Sequence, residues 1–547
     1  MAEIEADDDR VNLVAEQVIA AARTGDDALA IELADRALGD GMRHPALYNV
    51  RASGYWRDAL YRAALDDLRS AVAMMPRNPM LWDKIGFCQL KLNEWKVARL
   101  SFETAIANAP ALATAHYGRG LALQVLGDRV AAKAAHGRAV ELKPDFAEAL
   151  GSLALMSMGE SNIPVARRFA ERAFAVDRTQ PTARIAMAMS GLQSGAIKAA
   201  AQGVSEVLQE GKFGDDPQAN TVLGLIADAF DQRGDCAQAF AISSGLNRKR
   251  REIQEPRFKS SRASEVVHRL RRHFEREQAW PAPDNVQDAS GPAAGHVFLL
   301  GFARSGTTLL ETILASNAAV AALDERDCFS DAAKETLADE TGIARLAALD
   351  GPELEEWRRD YWKSVQNAGA NVAGRVFVDK WPFNSYRLPL IAKMFPHARV
   401  LLALRDPRDV VLSCFRRRFV QNADTFEFLV LEDCARFYAE IMDLVATMRP
   451  KLPLAIHQHR YEDMITNFDD SVRSVCEFIG IPWNENMREF QRAADGVLHP
   501  NAQSGQQVRR GLYKGAIGQW HRYARELAPV LPILEPWVER YGYSQVS

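Results

Sequence analysis

The sequence predicts two folds in one chain: an α-helical solenoid, followed by an α/β domain with a parallel sheet whose first strand ends in a phosphate-binding loop. Three observations predict this. Small residues recur with one fixed period through the first third of the chain. A short apolar run, HVFLLGF, leads into ARSGTT and then into the apolar-periodic LLETILAS. About 100 residues later a second strand-to-helix turn, HARVLLALRDPRDVVLSCF, has the same layout. At 547 residues the chain is too long for one ordinary core, so several units or an array plus a domain are required.

The period of the first part is 34 residues. Ala37, Ala71, Ala105, Ala139 and Ala173 form one ladder with that step, and Ala30, Ala64, Ala98, Ala132 and Ala166 form another. Pro76, Pro110 and Pro144 keep the same step, as do Gly86 and Gly120. Thirty-four residues is the length of the tetratricopeptide repeat (TPR), a helix–turn–helix unit. The stretch from Pro79 to Pro110 matches its pattern, with Trp82, Gly86, Ala98, Phe102 and Ala105 in place. Small residues let the two helices of a hairpin approach, large ones fill the gaps between hairpins, and proline ends the second helix. Five units are expected from about residue 11 to 180, with weaker ones to about 250. An array of this kind presents a concave surface suited to a protein or peptide partner.

The basic run Asn247–Arg251 (NRKRR) is expected to be a solvated helix end. A helix over 261–278 and the polar stretch PDNVQDASGPAAG then mark the boundary. The organisation predicted is a repeat array over 1–250, a connecting helix and linker over 251–294, and an α/β domain over 295–547.

In the α/β half, strand, glycine-containing loop and helix start aim backbone N–H groups and the positive helix end at a phosphate. The spacing from Gly301 to Gly306 is that of a nucleotide-triphosphatase loop, but Thr307 stands where that loop has its lysine. A diphosphate-like group held by Arg304, Ser305, Gly306, Thr307 and Thr308 suits this loop better than a triphosphate. Farther on, strand 400–404 delivers Arg405, and the helix beginning near Pro407 carries Ser413. The pair can grip one phosphate through a charge-assisted bond and a hydroxyl. A third strand, 375–379, ends at Lys380, and ligands of open α/β sheets sit beyond such carboxyl ends.

These segments, in this order, resemble the sulfotransferases that use 3′-phosphoadenylyl sulfate. RSGTT is the form seen in the tyrosylprotein sulfotransferases and their bacterial relatives; where many have proline before the arginine, this chain has Ala303. The resemblance covers about 295–540. It implies a sulfotransferase fold related to the P-loop nucleotidases, with 3′-phosphoadenylyl sulfate as co-substrate and no metal. It implies that Arg405, Ser413 and Arg417 bind the 3′-phosphate side, that Lys380 touches the leaving and transferring groups, and that Tyr461 of the YE pair helps hold the nucleotide. It also aligns NAQSGQQVRRGLYKG with a loop closing over the nucleotide, with Ser504, Gln507, Arg510 and Lys514 as contacts; Gln519 stands where a basic residue is usual.

Sulfuryl transfer to a hydroxyl needs a base for the acceptor proton and cations for the charge that builds on the sulfuryl oxygens. Glu325, nineteen residues after Gly306, has the spacing of the catalytic glutamate of the tyrosylprotein enzymes. The expected catalytic set is Glu325, Arg304 and Lys380. Asp324 and Glu325 could instead cap the following helix, and Glu311 is expected to be a helix-surface carboxylate. The expected acceptor is a protein tyrosine presented with the help of the array. Other acceptors (a carbohydrate, a lipid, a small phenol) and a scaffold that only binds nucleotide are the alternatives; the missing loop lysine argues against a kinase or NTPase.

The net charge of −4 and pI near 6.3 give no basis for a nucleic-acid partner. No run of about 18 uncharged apolar residues predicts a membrane span. MAEIEADDDR lacks the apolar core of a secretory signal. Six dispersed cysteines without a CxxC suggest free thiols in a reducing compartment. A cytoplasmic protein is expected; its oligomeric state is left open, with a dimer compatible.

Overall fold

The computed structural model describes residues 2–160, 162–211, 217–259, 262–276, 279–280, 291–349, 351–491, 511–512 and 514–543. Two compact units divide the chain, Met1–Ala229 and Phe230–Ser547. Among the described residues no helix is long and apolar enough to cross a membrane.

The first unit is a run of antiparallel helix hairpins. After Ala2–Arg23 and Asp27–Gly39 come Pro45–Arg57 with Tyr61–Met74, Pro79–Lys91 with Trp95–Asn108, Ala113–Val125 with Arg129–Leu142, Ala147–Gly159 with Ile163–Val176, and Pro181–Gln193 with Ile197–Glu210. The alanine ladders occupy the second helix of each hairpin, and every rung is buried. Pro45, Pro79 and Pro181 open first helices, where a missing N–H costs nothing and φ is already set. Pro76, Pro110 and Pro144 fall just past the ends of second helices, as the sequence requires. The small residues are needed for space. A Cβ on Gly86 would stand 2.6 Å from the Phe102 ring, and one on Gly118 would stand 2.3 Å from the same ring.

The second unit centres on a parallel five-stranded sheet of β1 (Gly295–Gly301), β2 (Val320–Asp324), β3 (Val376–Lys380), β4 (Arg399–Leu404) and β5 (Ala455–Arg460), in the order β2-β3-β1-β4-β5. Gly295 pairs with Val376 on one side, and Val297 with Arg399 on the other. β1 and β4 are almost wholly buried apolar runs, and β3 (VFVDK) is as deeply buried, the pattern of strands covered on both faces. One face packs against Pro407–Arg416 and Leu431–Met448, and the other against Thr307–Ala315 and Phe468–Ile479. From β1 the chain passes to β2 and β3 on one flank and then to β4 and β5 on the other. The loop after β1 therefore lies where the winding direction reverses, the position at which such sheets bind ligands.

The predicted strands ending at Phe302, Asp379, Leu404 and Tyr461 are found within a residue or so at each end. β2 was not among the predicted strands; its short Ala-rich sequence, VAALD, has no strand signal of its own and is recruited by pairing with β3. The helix predicted over 261–278 is Ala263–Arg276. Helix Cys236–Phe258, grouped with the repeats in the sequence reading, falls in the second unit. Its basic run is not a solvated end. Asn247 donates to the Phe415 carbonyl at 2.7 Å, Arg250 donates to that of Phe419, and Arg251 pairs with Asp433 at 2.7 Å.

Candidate active site

The loop after β1 is shaped by two left-handed residues, Arg304 (φ 71°) and Gly306 (φ 92°), on either side of the buried Ser305. Close approach fixes both glycines. A Cβ on Gly301 would meet the Ala403 carbonyl oxygen at 2.5 Å, and one on Gly306 would meet the Tyr461 ring at 2.5 Å. Ser385 closes the base of the loop by accepting from the Gly301 N–H at 3.0 Å. Helix Thr307–Ala315 then starts at Gly306 with no side-chain cap, which leaves its first-turn N–H groups to an anion. Thr307 and Thr308 are buried at that helix start.

The turn after β4 clasps this loop. Arg304 Nε donates to Ser413 Oγ at 3.0 Å, and Arg405 Nη1 donates to the Arg304 carbonyl at 3.1 Å. The Arg405 guanidinium also lies 4.8 Å from the centroid of the Tyr461 ring. Arg304, Arg405, Ser413 and Tyr461, predicted from three separate segments, are thus gathered at the carboxyl ends of β1, β4 and β5. Burial, followed by repulsion from Arg417 and Arg405, pushes the Arg304 guanidinium down to about 10. Three guanidinium groups held within range of one another make a site that favours a multiply charged anion. Such a donor set fits the phosphates of 3′-phosphoadenylyl sulfate.

Asp406 and Asp409 give the turn its form. Asp406 caps helix Pro407–Arg416 by accepting from the Arg408 N–H at 2.9 Å. Asp409 accepts from the backbone N–H groups of Gly518 and Trp520 at 2.7 and 2.8 Å, and Arg405 Nη2 donates to the Ala516 carbonyl at 2.5 Å. The C-terminal segment is thereby fastened beside the arginines. Gln519 spends its amide on the Gly515 carbonyl at 2.8 Å. Sequence reasoning missed Ser385 and the anchoring role of Asp409. The second was detectable, because an aspartate inside the first turn of a buried helix needs a donor from elsewhere in the chain. Ser385 had no local signal.

At the end of β3, Lys380 has no exposed surface. Its Nζ lies 2.9 Å from Glu325 Oε1 and 3.5 Å from Glu311 Oε2. Glu325 carries its N–H one step beyond β2, donating to the Lys380 carbonyl at 3.1 Å, and its own backbone is left-handed at φ 45°. Among the described residues four non-glycine positions have positive φ: Ala59, Asn93, Arg304 and Glu325. Two of the four belong to this site, which is where backbone strain is retained when the surroundings impose it. Glu325 caps no helix; Ser330–Thr336 begins without a side-chain cap, and Asp327 is taken up by Arg387 at 2.5 and 3.1 Å.

Glu311 corrects the sequence reading. It is not on a helix surface but fully buried, because Thr307–Leu314 is buried on every side. Its flanking Leu309, Leu310, Ile313 and Leu314 carried part of that signal: a carboxylate set among them in a buried helix has to meet a cation. Arg417 terminates helix Pro407–Arg416 and acts on Arg304 through its charge. Ser504, Gln507 and Arg510 lie outside the described residues. Lys514 opens a short 3₁₀ turn, Lys514–Ala516, and its side chain lies outside the description.

Residues 296–485 match the model of the Sulfotransferase family. An uncharacterized protein of Aquifex aeolicus is 26% identical over 284 residues, 47% of this chain and 36% of that protein. Protein-tyrosine sulfotransferase 1 of Danio rerio is 24% identical over 263 residues, 45% of this chain and 72% of its own length. Protein-tyrosine sulfotransferase A of Caenorhabditis elegans is 23% identical over 267 residues, 45% of this chain and 67% of its own. The chain thus spans about a third of the Aquifex relative. Among solved structures, a thermophilic TPR protein of Thermus thermophilus is 20% identical, covers 33% of this chain and 98% of its own, and superposes with a TM-score of 0.28.

Proposed function

We propose that this chain is a sulfotransferase that moves a sulfuryl group from 3′-phosphoadenylyl sulfate to a protein tyrosine, with the repeat array holding the protein that carries the acceptor. The observation that supports the chemistry is the contact between Glu325 and the buried Lys380 beside the loop of Arg304. A base and a cation stand together where the acceptor and the transferring group must meet. The co-substrate supplies the activated sulfuryl group and a nucleotide leaving group.

This chain's residues divide the remaining work. Arg304, Ser305, Gly306, Thr307 and Thr308 hold the 5′ side, through the guanidinium, hydroxyls and helix-start N–H groups. Arg405, Ser413, Arg417 and Tyr461 hold the 3′-phosphate side, and Ser504, Gln507, Arg510 and Lys514 are assigned to the same nucleotide from the sequence alone. Glu325 accepts the proton of the acceptor hydroxyl; a tyrosine with a pKa of about 10 requires such a base at neutral pH. Lys380 and Arg304 stabilise charge on the sulfuryl and bridging oxygens, each worth a few kcal/mol where water is excluded. The tyrosine assignment draws on the names of the animal relatives and on Glu325. A cytoplasmic location accords with six free cysteines, five of them buried.

Calorimetric binding of 3′-phosphoadenosine 5′-phosphate to the full chain, with ATP as control, tests the nucleotide assignment. Micromolar binding of the first and negligible binding of the second are expected, and a folded protein that ignores the first has lost the sulfotransferase reading. In turnover on tyrosine peptides, Glu325→Gln should lower the rate by about 10²–10⁴-fold with nucleotide affinity intact. Unchanged turnover would remove Glu325 as the base.

A further inference from the structure

We propose that Asp327 and Arg387 are positioning residues: a two-pronged ion pair that fastens the loop after β2 to the turn after β3, and so holds Glu325 where it can take the proton of the acceptor hydroxyl. The inference rests on the reading of Glu325 as the base.

Glu325 needs such a device. Its side chain is more than half exposed and Arg326 beside it is exposed too, so packing does little to place either. Its backbone is left-handed at φ 45°, a conformation that a non-glycine residue keeps only where the surroundings impose it. On the β2 side the constraint is the bond from the Glu325 N–H to the Lys380 carbonyl. On the other side the first anchored side chain is that of Asp327. Arg387 Nη1 donates to its Oδ1 at 2.5 Å and Nη2 to its Oδ2 at 3.1 Å, and Oδ1 also accepts from the Phe329 N–H at 3.2 Å. A guanidinium fork on both carboxylate oxygens fixes orientation as well as distance, which a single contact does not. Phe329 is buried as well, but it lies four residues from Glu325 and leaves the backbone between them free to turn.

The partner is itself held still. Arg387 closes the 3₁₀ turn Pro382–Arg387, which begins two residues after Lys380, and only 10% of its side chain is exposed. Its two predecessors bind other parts of the site. Ser385 accepts from the Gly301 N–H at 3.0 Å, at the base of the phosphate loop. Tyr386 donates to Asp424 Oδ1 at 2.8 Å, on helix Ala423–Phe426, which follows Arg417 in the chain. Three consecutive side chains therefore tie the phosphate loop, the segment beyond Arg417 and the loop of the base to one short turn. The segments that carry Glu325 and Lys380 are bridged by those two side chains, by the backbone, and again by Asp327 and Arg387. A pair that served the fold alone could join the segments anywhere; this one lands two residues from Glu325.

The test is a double-mutant cycle between Asp327→Asn and Glu325→Gln, read by turnover on tyrosine peptides and by affinity for 3′-phosphoadenosine 5′-phosphate. Asp327→Asn keeps an oxygen for the Phe329 N–H and removes the charge that Arg387 grips. Asp424 stays within electrostatic range of Arg387, so the guanidinium keeps a counter-charge and the fold is expected to survive. Turnover should fall by about 10–10²-fold, the cost of displacing a reacting group by about 1 Å. Nucleotide affinity and the KM for the co-substrate should change by less than about threefold. In the Glu325→Gln background the same substitution should cost at most about twofold more, because no base is left to misplace. The proposal is overturned by turnover of Asp327→Asn within about threefold of the wild type, by an undiminished loss in the Glu325→Gln background, or by nucleotide affinity that falls in step with turnover. Should Asp327→Asn fold poorly, Asp327→Glu takes its place. It keeps the charge but moves it one carbon farther from the backbone, and should lower turnover by about 3–10-fold with the same dependence on Glu325. Wild-type turnover from that variant would overturn the proposal. The reading beneath it fails separately, when Glu325→Gln alone retains full turnover.

Discussion

The repeat array and the sheet unit bury different things. In the array the buried positions are mostly repeated alanines and the apolar residues between them, with isolated polar groups such as Asp67, Asp83 and His136 among them, and most ion pairs are exposed ones such as Glu32–Arg36. In the sheet unit the core itself contains Glu311, Asp379, Lys380, Arg408 and Asp409. An array built this way gets shape from small residues at fixed spacing, so each change is felt where it is made. A sheet unit built around buried charge gets its chemistry from groups whose protonation depends on one another. Effects at those groups should depend on pH, and effects at the packing positions of the array should not.

The largest expected effect tests that contrast at Asp379. Its carboxyl is fully buried, accepts from Tyr361 at 2.6 Å, and sits beside Lys380. Burial, with some repulsion from Asp327, pushes it up to about 7 in spite of Tyr361, Arg387 and Lys380. The folded chain therefore holds this proton more tightly than the unfolded chain, whose aspartate titrates near 3.9. The stability this contributes is fully present below about pH 4 and is lost as pH rises through about 7. Asp379→Asn keeps an acceptor for Tyr361 and does not ionise. Relative to the wild type it should gain stability from pH 4.5 to 7.5, by up to about 4 kcal/mol. Denaturant midpoints of the sheet unit across that range measure it, and a difference independent of pH would remove the assignment.

Next in size is Gly118→Ala in the array. A Cβ there would stand 2.3 Å from two atoms of the Phe102 ring, and the same ring is met at 2.6 Å from the Gly86 side. Phe102 is fully buried and cannot swing away without repacking two hairpins. Alanine is the better helix former by about 1 kcal/mol, but overpacking outweighs that preference, and a net loss of about 1–3 kcal/mol is expected. Urea denaturation followed on the array should show it equally at pH 5 and pH 8, with nucleotide affinity unchanged. A stabilised variant would mean that Phe102 has room the structure does not give it.

The same contrast explains what could be read in advance. The array was legible because its determinants are local and repeated: the alanine rungs, the prolines and Gly86 recur every 34 residues. The loop, Arg405, Lys380 and Tyr461 were legible because each lies at a strand end with a marked neighbour, and Ser413 because it sits in the helix that follows Arg405. β2 was not, since VAALD becomes a strand only by pairing with β3. Glu311 was misjudged because its one marker, the leucines and isoleucine flanking it, was read as helix and not as burial. The basic run at 247–251 was misjudged for a related reason. Its partners, the carbonyls of Phe415 and Phe419 and the carboxylate of Asp433, are some 170 to 180 residues away in sequence. No local pattern announces them.

The smallest effect is expected where the array keeps its charge outside. Glu32 and Arg36 are one helical turn apart at 2.8 Å, with the acidic partner toward the N-terminus, the favoured order on a helix. Both side chains are about two-thirds exposed, so water screens the pair and each long side chain gives up freedom to form it. Arg36→Ala removes the pair and also a cation from the last turn of Asp27–Gly39, where a cation suits the helix end. Against both losses stands the higher helix propensity of alanine. The expected net change is within about 0.5 kcal/mol, shrinking further in 0.5 M salt. Paired urea titrations of wild type and variant at low and high salt decide it. A loss above about 1.5 kcal/mol that survives salt would mean that the array depends on its exposed charges as well as on its packing, and the contrast with the sheet unit would fail.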